Sequence, residues 1–299
     1  MRKTIFLFVI LTLCCTCLCS CSGCETEDRT GFTIASWNVQ NLFDAVNDGT
    51  EYSEYKRSSG WTDADYRARL ATSAQVLNSG NLRGAEIIVL NEVENARVTE
   101  DLMGRLDGRN FLWYAAASEE GGAISLAIIS SIPMISVTTH SVPGARPVIA
   151  AHFNICSTDV FVLAVHAKSN LGDDSEVVQF RSLLGRAVED IIQMIREDYP
   201  SALIVLAGDF NEDPWTGNVV RNMDNWRCFW DDSDLGSYLY DEVWHCYDNI
   251  LLSADFLEGW GVVTEGLVTN TDGRPNRWDP ETRSGVSDHL PIWVKVRLI

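Results

Sequence analysis

Ala202-Leu203-Ile204-Val205-Leu206-Ala207-Gly208-Asp209-Phe210-Asn211 is an unbroken apolar run that stops on a carboxylate and an amide. A run of this length, β-branched and closed by a turn signal, reads as a buried strand. The same grammar recurs on both sides of it. Phe32 to Trp37 leads to Asn38, Glu86 to Leu90 leads to Asn91-Glu92, and Val160 to Val165 leads to His166. Four strands thus end in residues that can bind a cation or move a proton. Polar groups at strand ends escape the cost of burial and can converge on one edge of a sheet. Taken singly, each Asn or Asp reads first as a turn former. As a set they do not, because turn chemistry calls for neither Glu92 nor His166.

Further strand-length runs are Ala123 to Ile129, Val148 to Ile155, Tyr247 to Leu252 and Leu290 to Leu298. The last reverses the order, with Ser287-Asp288-His289 standing before the run; if that polar head joins the same edge, this strand lies antiparallel to those that end in ligands. Thr62-Asp63-Ala64-Asp65 resembles a capping box, and Tyr66, Leu70, Ala74 and Leu77 follow at helical spacing until Asn78-Ser79-Gly80. A second apolar stripe, Leu184, Ala187, Val188, Ile191, Ile192 and Ile195, lies between the cap candidates Asp173, Asp174 and Ser175 and the closing Pro200. Strands this numerous and closely spaced do not fit a simple βαβ repeat. The expected class is α/β (α+β): two packed mixed β-sheets with helices on the outer faces, a four-layer sandwich.

The chain has 299 residues and no repeat of fixed period, and its apolar share of 46% suits one large domain over residues 32–299. Before that domain, Arg2 and Lys3 precede the apolar run Ile5 to Leu13, which is shorter than the roughly 20 residues a membrane span takes. Residues 1–20 read as a secretory signal and 21–31 as a short polar tether. Leu18-Cys19-Ser20-Cys21 resembles a lipobox with Cys21 as lipid carrier. Cys24 is a second candidate, and an ordinary cleaved signal is the alternative. The expected location is the bacterial cell envelope, exported and held to the membrane through that lipid. Six of the nine cysteines lie in this leader. Cys156, Cys228 and Cys246 remain, which allows either a Cys228–Cys246 bridge or three buried thiols. A formal charge of −19 argues against tight nonspecific DNA binding, yet bound divalent cations reverse the local field where a phosphate sits.

Ser36-Trp37-Asn38-Val39, Asn91-Glu92, Val165-His166-Ala167-Lys168-Ser169, Gly208-Asp209-Phe210-Asn211, Tyr247-Asp248-Asn249-Ile250-Leu251 and Ser287-Asp288-His289 follow one another in the order seen in the endonuclease/exonuclease/phosphatase family, which the chain resembles from Phe32 to its end. Asn38-Val39-Gln40-Asn41-Leu42-Phe43-Asp44 with Glu92-Val93-Glu94-Asn95 resembles a bacterial exported branch of it. The resemblance implies hydrolysis of phosphoester bonds with Mg2+ (or Mn2+), held by Asn38, Glu92 and Asp288. Asp209 and Asn211 orient water or phosphate, His289 acts as base or as charged partner of the phosphate, and Asp248 fixes its tautomer. His166 bonds a phosphate oxygen or protonates the leaving group, and Lys168 adds charge or is simply solvated. Two positions depart from the family pattern: Asn91 stands where Gln is frequent, and Ser131 where Arg or Lys often follows the preceding strand.

Ser287, Asp288 and His289 do not make a serine hydrolase, since adjacent residues form no triad and no Gly-x-Ser-x-Gly is present. An iron site built on His166, His289 and a carboxylate is chemically feasible, and a binding lipoprotein without activity is a reading from a different class. A nuclease or nucleotide phosphodiesterase is the expected substrate class, with phosphatase or phospholipid phosphodiesterase activity as the rival, and a monomer is expected. The Trp- and Asp-rich stretch from Trp215 to Trp244, including Trp226, Trp230, Asp231, Asp232 and Asp234, either walls a substrate groove or packs in the core. Asp288 and His289 can serve one site only if the backbone there leaves regular pleating.

Overall fold

The computed structural model describes residues 30–108, 110–170, 172–230, 235–254 and 257–298. Cys21, the leader, nearly all of the tether and Asp231, Asp232 and Asp234 lie outside them. The strands are β1 (Gly31–Leu42), β2 (Ile87–Val93), β3 (Trp113–Ala117), β4 (Ser125–Ser130), β5 (Ser136–His140), β6 (Val148–Ile155), β7 (Thr158–His166), β8 (Leu203–Asp209), β9 (Tyr238–Tyr240), β10 (Val243–His245), β11 (Asp248–Leu252), β12 (Leu257–Val262) and β13 (Ile292–Arg297). The helices are α1 (Asp63–Leu77), α2 (Ala96–Met103) and α3 (Asp174–Asp198).

One sheet has the order β12-β13-β1-β2-β4-β3 and the other β11-β8-β7-β6-β5, while β9 and β10 form a small hairpin. Each large sheet is mixed: β1 runs parallel to β2 and β7 parallel to β8, and their other pairings are antiparallel. Three apolar clusters fill the three spaces of a four-layer stack. Between the sheets, Ile34, Ile87, Val89 and Ile128 meet Ile149, Val160, Val162 and Val205. On the outer face of the first sheet, Trp37, Ile88 and Leu90 pack with Leu70 and Leu77 of α1 and with Val98 and Leu102 of α2. On the outer face of the second, Leu163, Val165, Ile204 and Leu206 pack against Leu184, Val188 and Ile191 of α3. Side chains alternate faces along a strand, so each continuous apolar run serves two of these spaces at once.

The expected helix signals are present. Thr62 Oγ1 accepts the N–H of Asp65 and the Asp65 carboxylate accepts that of Thr62, closing the capping box. Asp173 caps α3 through the N–H of Ser175. No disulfide joins Cys228 to Cys246: all three body cysteines are thiols, and Cys156 is exposed rather than buried. Among the described residues no helix is long and apolar enough to cross a membrane.

Candidate active site

Two of the four ligand-bearing strands do not stop where the sequence suggests. β1 continues past Asn38 to Leu42, and β2 past Glu92 to Val93. Their register jumps from Asn38↔Asn91 to Leu42↔Val93, so three residues of β1 oppose Glu92 alone. The bulge places Gln40, Asn41 and Glu92 at φ of 51°, 59° and 65°, a region costly for side-chain-bearing residues and frequent beside functional sites. It turns the Glu92 carboxylate back along the sheet, where Oε1 accepts from Asn38 Nδ2 at 3.0 Å and Oε2 from the N–H of Asn41 at 3.0 Å.

The second sheet brings its own row to the same edge. Register puts His166 beside Asp209 on one side and Asp248 beside it on the other. Gly208 makes this close packing possible: its φ is +139°, and a Cβ there would stand 1.9 Å from the Val165 carbonyl oxygen. Asn91 joins the two sheets, donating to the Val165 carbonyl at 2.9 Å and accepting the Asp209 N–H at 3.1 Å. That is its place in this chain, in the position where the family often has Gln.

The side chains then converge. Asn38 Nδ2 donates to Asp209 Oδ2 at 2.9 Å, and Asn211 Nδ2 donates to the same oxygen at 3.1 Å and to the Ala167 carbonyl at 3.2 Å. His166 Nε2 lies 3.7 Å from Asp209 Oδ2 and 3.9 Å from Glu92 Oε1. His289 Nε2 lies 3.9 Å from Asp209 Oδ2, while its Nδ1 is hydrogen-bonded to Asp248 Oδ2 at 2.7 Å.

Ser287-Asp288-His289 precedes β13 rather than forming its first residues, which resolves the pleating problem. Ser287 Oγ accepts the N–H of His289 at 3.0 Å and donates to the Asn38 carbonyl at 2.7 Å, so the chain bends between the two reactive residues. His289 faces Asp248 and Asp209 of the second sheet. Asp288 acts electrostatically on Glu92 of the first, and its N–H donates to Gln40 Oε1 at 2.9 Å. The same Gln40 oxygen accepts from Trp278, and Gln40 Nε2 donates to the Trp278 carbonyl.

The electrostatics follow from burial. Burial raises Glu92, and the neighbouring Asp288 adds to this. Burial likewise raises Asp209 to about 7, with His289 opposing and Asp248 assisting. Burial favours a neutral His289, yet the carboxylates of Asp248 and Asp209 outweigh it and hold the imidazole up to about 10. His166 goes the other way, lowered by burial and then by Arg146 and His289, so it is neutral. One Asp248 oxygen and His166 Nδ1 are buried with no hydrogen-bond partner. Glu92 and Asp209, both raised by burial, and Asp288, which acts on Glu92, make this edge rich in carboxylate oxygen of the kind a hard divalent cation takes, while Asn38 turns Nδ2 toward Glu92 and Asp209 and accepts the Gln40 N–H at Oδ1.

Two cations were not legible in the sequence. Arg69, on α1, is fully buried and donates Nη2 to the carbonyls of Val39 and Gln40 at 2.6 and 2.9 Å and Nη1 to that of Val286. Its guanidinium stacks on Trp278, 4.4 Å from the ring centre. It therefore ties the β1 bulge to the segment that carries Ser287. Arg146, in the loop before β6, donates to the Ala167 carbonyl at 2.8 Å and acts on both Glu92 and His166. Ser131, where the family often has a cation, lies beside Glu86 at the other end of β2. Lys168 is exposed and makes no ion pair among the described residues. Trp226, Trp230 and Trp244 pack against the apolar clusters, and Trp215 alone of these is exposed. Aromatic rings do reach the site, by another route: Tyr238 lies 4.7 Å from the His289 ring, Tyr247 stacks on Tyr238 at 5.2 Å, and His245 on Tyr247 at 4.8 Å.

A two-sheet sandwich whose paired parallel strands deliver carboxylates, amides and histidines to one edge is the frame of a phosphoester hydrolase. The family profile described as Endonuclease/Exonuclease/phosphatase family matches residues 33–298, and the chain belongs to that family. Truncated TDP2 of Caenorhabditis elegans superposes with a TM-score of 0.63 at 16% identity, covering 91% of this chain and 100% of that one. Sphingomyelinase C from Streptomyces griseocarneus gives 0.62 at 14% identity, covering 89% and 99%. D. rerio TDP2 complexed with single strand DNA product gives 0.59 at 17% identity, covering 89% and 98%. At these identities the likeness is one of fold. No curated protein matches the chain.

Proposed function

We propose that the chain is a Mg2+- or Mn2+-dependent phosphodiesterase acting on nucleotides or short single strands of nucleic acid. The observation that carries this reading is the meeting of Glu92, Asn38, Asp209, His166 and His289 within hydrogen-bonding or ion-pair reach of one another, beside the row Tyr238-Tyr247-His245. Glu92, Asp288 and Asn38 would hold the cation, which when bound neutralises charge developing on the phosphate. Asp209, raised toward neutrality, takes a proton from the attacking water, and Asn211 keeps its carboxylate aimed. His289 carries the positive charge that Asp248 stabilises and donates from Nε2 to a non-bridging phosphate oxygen. Neutral His166 donates from the other side, and Arg146 adds a fixed charge. Tyr247 is buried between Tyr238 and His245, so only the two outer rings of the row are left to meet a base, while the net charge of −19 disfavours long duplexes.

Export and lipid attachment at Cys21 form part of the same proposal, supported by the leader sequence. A Cys21→Ala variant should leave the membrane fraction. The catalytic reading is tested by a panel of single strands, plasmid DNA, RNA, bis-p-nitrophenyl phosphate, p-nitrophenyl phosphate, inositol phosphates and sphingomyelin, each with magnesium, manganese or a chelator. Diester cleavage with single strands preferred supports it. Turnover confined to monoesters or to sphingomyelin would move the assignment to the phosphatase or phospholipid class.

A further inference from the structure

The resemblance that singled out Asp44 and Glu94 gives neither of them a task, and both lie outside the reactive centre. The loop leaving β1 folds so that one carboxylate oxygen from each of Asp48, Glu51 and Glu94 lies within 4.8 Å of the other two. Asp44 joins them, its N–H donating to Glu94 Oε2 at 2.7 Å. Glu51 and Glu94 are each 5% exposed, whereas Asp48 opens to solvent. The loop's backbone turns toward these oxygens as well: Glu51 accepts from the N–H groups of Asp48 and Gly49.

Charge is not balanced there. Arg97 is the guanidinium at hand, and it is committed to Asp44 at 2.5 Å, reaching Asp48 only at 3.6 Å. Glu94 Oε1 is buried with no hydrogen-bond partner at all. A buried carboxylate oxygen without donor or cation is costly, and this one has two further carboxylates beside it. All candidate donors are hard oxygens, Asp48 and Glu51 on a short Asp-Gly-Thr-Glu loop and Glu94 just past the end of β2. Oxygens at roughly 2.3–2.6 Å from a calcium ion span up to about 5 Å across its shell, so one ion can touch all three.

We infer that Asp48, Glu51 and Glu94 form a calcium site separate from the catalytic centre, which pins the loop after β1 to the end of β2. Glu94 stands two residues after Glu92, and Asn95 beside it caps α2 through the N–H of Val98. The ion would therefore fix the loop, the bulged strand and the helix start together. Water completes its coordination on the exposed Asp48 side.

Calorimetric titration of the full-length protein with calcium chloride, in saturating magnesium and near-physiological salt, tests this. Wild type should show one saturable calcium equivalent that magnesium does not remove, and Glu92→Ala should keep it. Asp48→Asn and Glu51→Gln should each weaken it at least about tenfold, because each removes a charged ligand. Asp48 is exposed, so its variant reports even where Glu51→Gln folds poorly. Calcium should also slow proteolysis between residues 44 and 52 in wild type but not in Asp48→Asn. The inference is overturned by the absence of a magnesium-resistant equivalent, by one that survives both substitutions, or by one lost in Glu92→Ala.

Discussion

In the proposed mechanism Glu92 and His289 divide the chemistry between charge that is held and charge that is offered. Glu92 is locked by two hydrogen bonds from β1 and faces Asp288, so its loss removes both the proposed metal ligand and the partner of Asn38. Glu92→Ala should lower turnover by about 10²- to 10³-fold or more, at least as far as His166→Ala, because a lone acid-base group contributes about 10²- to 10⁴-fold and cannot supply the whole acceleration. Steady-state kinetics on a phosphodiester checks the order of the two. Asp248 is the largest carboxylate influence holding His289 up to about 10. In Asp248→Asn that value should fall, and the alkaline limb of kcat/KM should move to lower pH with it. The imidazole resonance of His289, followed by NMR through the same pH range, separates this from a change in folding.

The elements explain which parts of the site could be read from residues alone. Gly208-Asp209-Phe210-Asn211 and Ser287-Asp288-His289 are contiguous, and each sits beside an apolar run, so the pattern of the chain announces both. The strands that carry no ligand and lie at edges were silent. β5 reads Ser-Val-Thr-Thr-His and is almost wholly exposed, and β12 is broken by Gly259 and Gly261, so neither shows an apolar face. The bulge in β1 was also hidden, because it arises from pairing with β2 and not from any local turn signal. Arg69 is the sharpest case. It follows Tyr66 at helical spacing and reads as a solvated arginine, yet the carbonyls freed by the bulge draw it into the core. Arg69→Leu should cost about 3 kcal/mol or more, since three buried carbonyls lose their donor, and denaturant unfolding would measure it. The same variant should impair turnover, because Gln40 and Ser287 lose their common support.

The whole molecule is a stack of two sheets whose interior is apolar and whose one edge gathers carboxylates that favour a cation. Its stability without metal should therefore depend on pH in a definite direction. Asp209 rises from 3.8 to about 7 and His289 from 6.5 to about 10, so these two groups hold more protons in the folded chain than in the unfolded one between about pH 4 and 10, opposed below pH 6.5 by His166, which is lowered. Above pH 6.5, where His166 is neutral folded or unfolded, stability should fall as pH rises, first as Asp209 ionises in its buried place and later as His289 loses its proton. Saturating magnesium should flatten the fall, which thermal unfolding in chelator and in magnesium would reveal. Metal-centred cleavage at this edge is tested most directly by the hydrolysis of a short single-stranded oligonucleotide. Wild type should cleave it in magnesium, stop on chelation and resume when magnesium is restored, with Glu92→Ala folded but slower by about 10²-fold or more throughout. Cleavage that persists in chelator, or a Glu92→Ala protein with near-normal turnover, would contradict it.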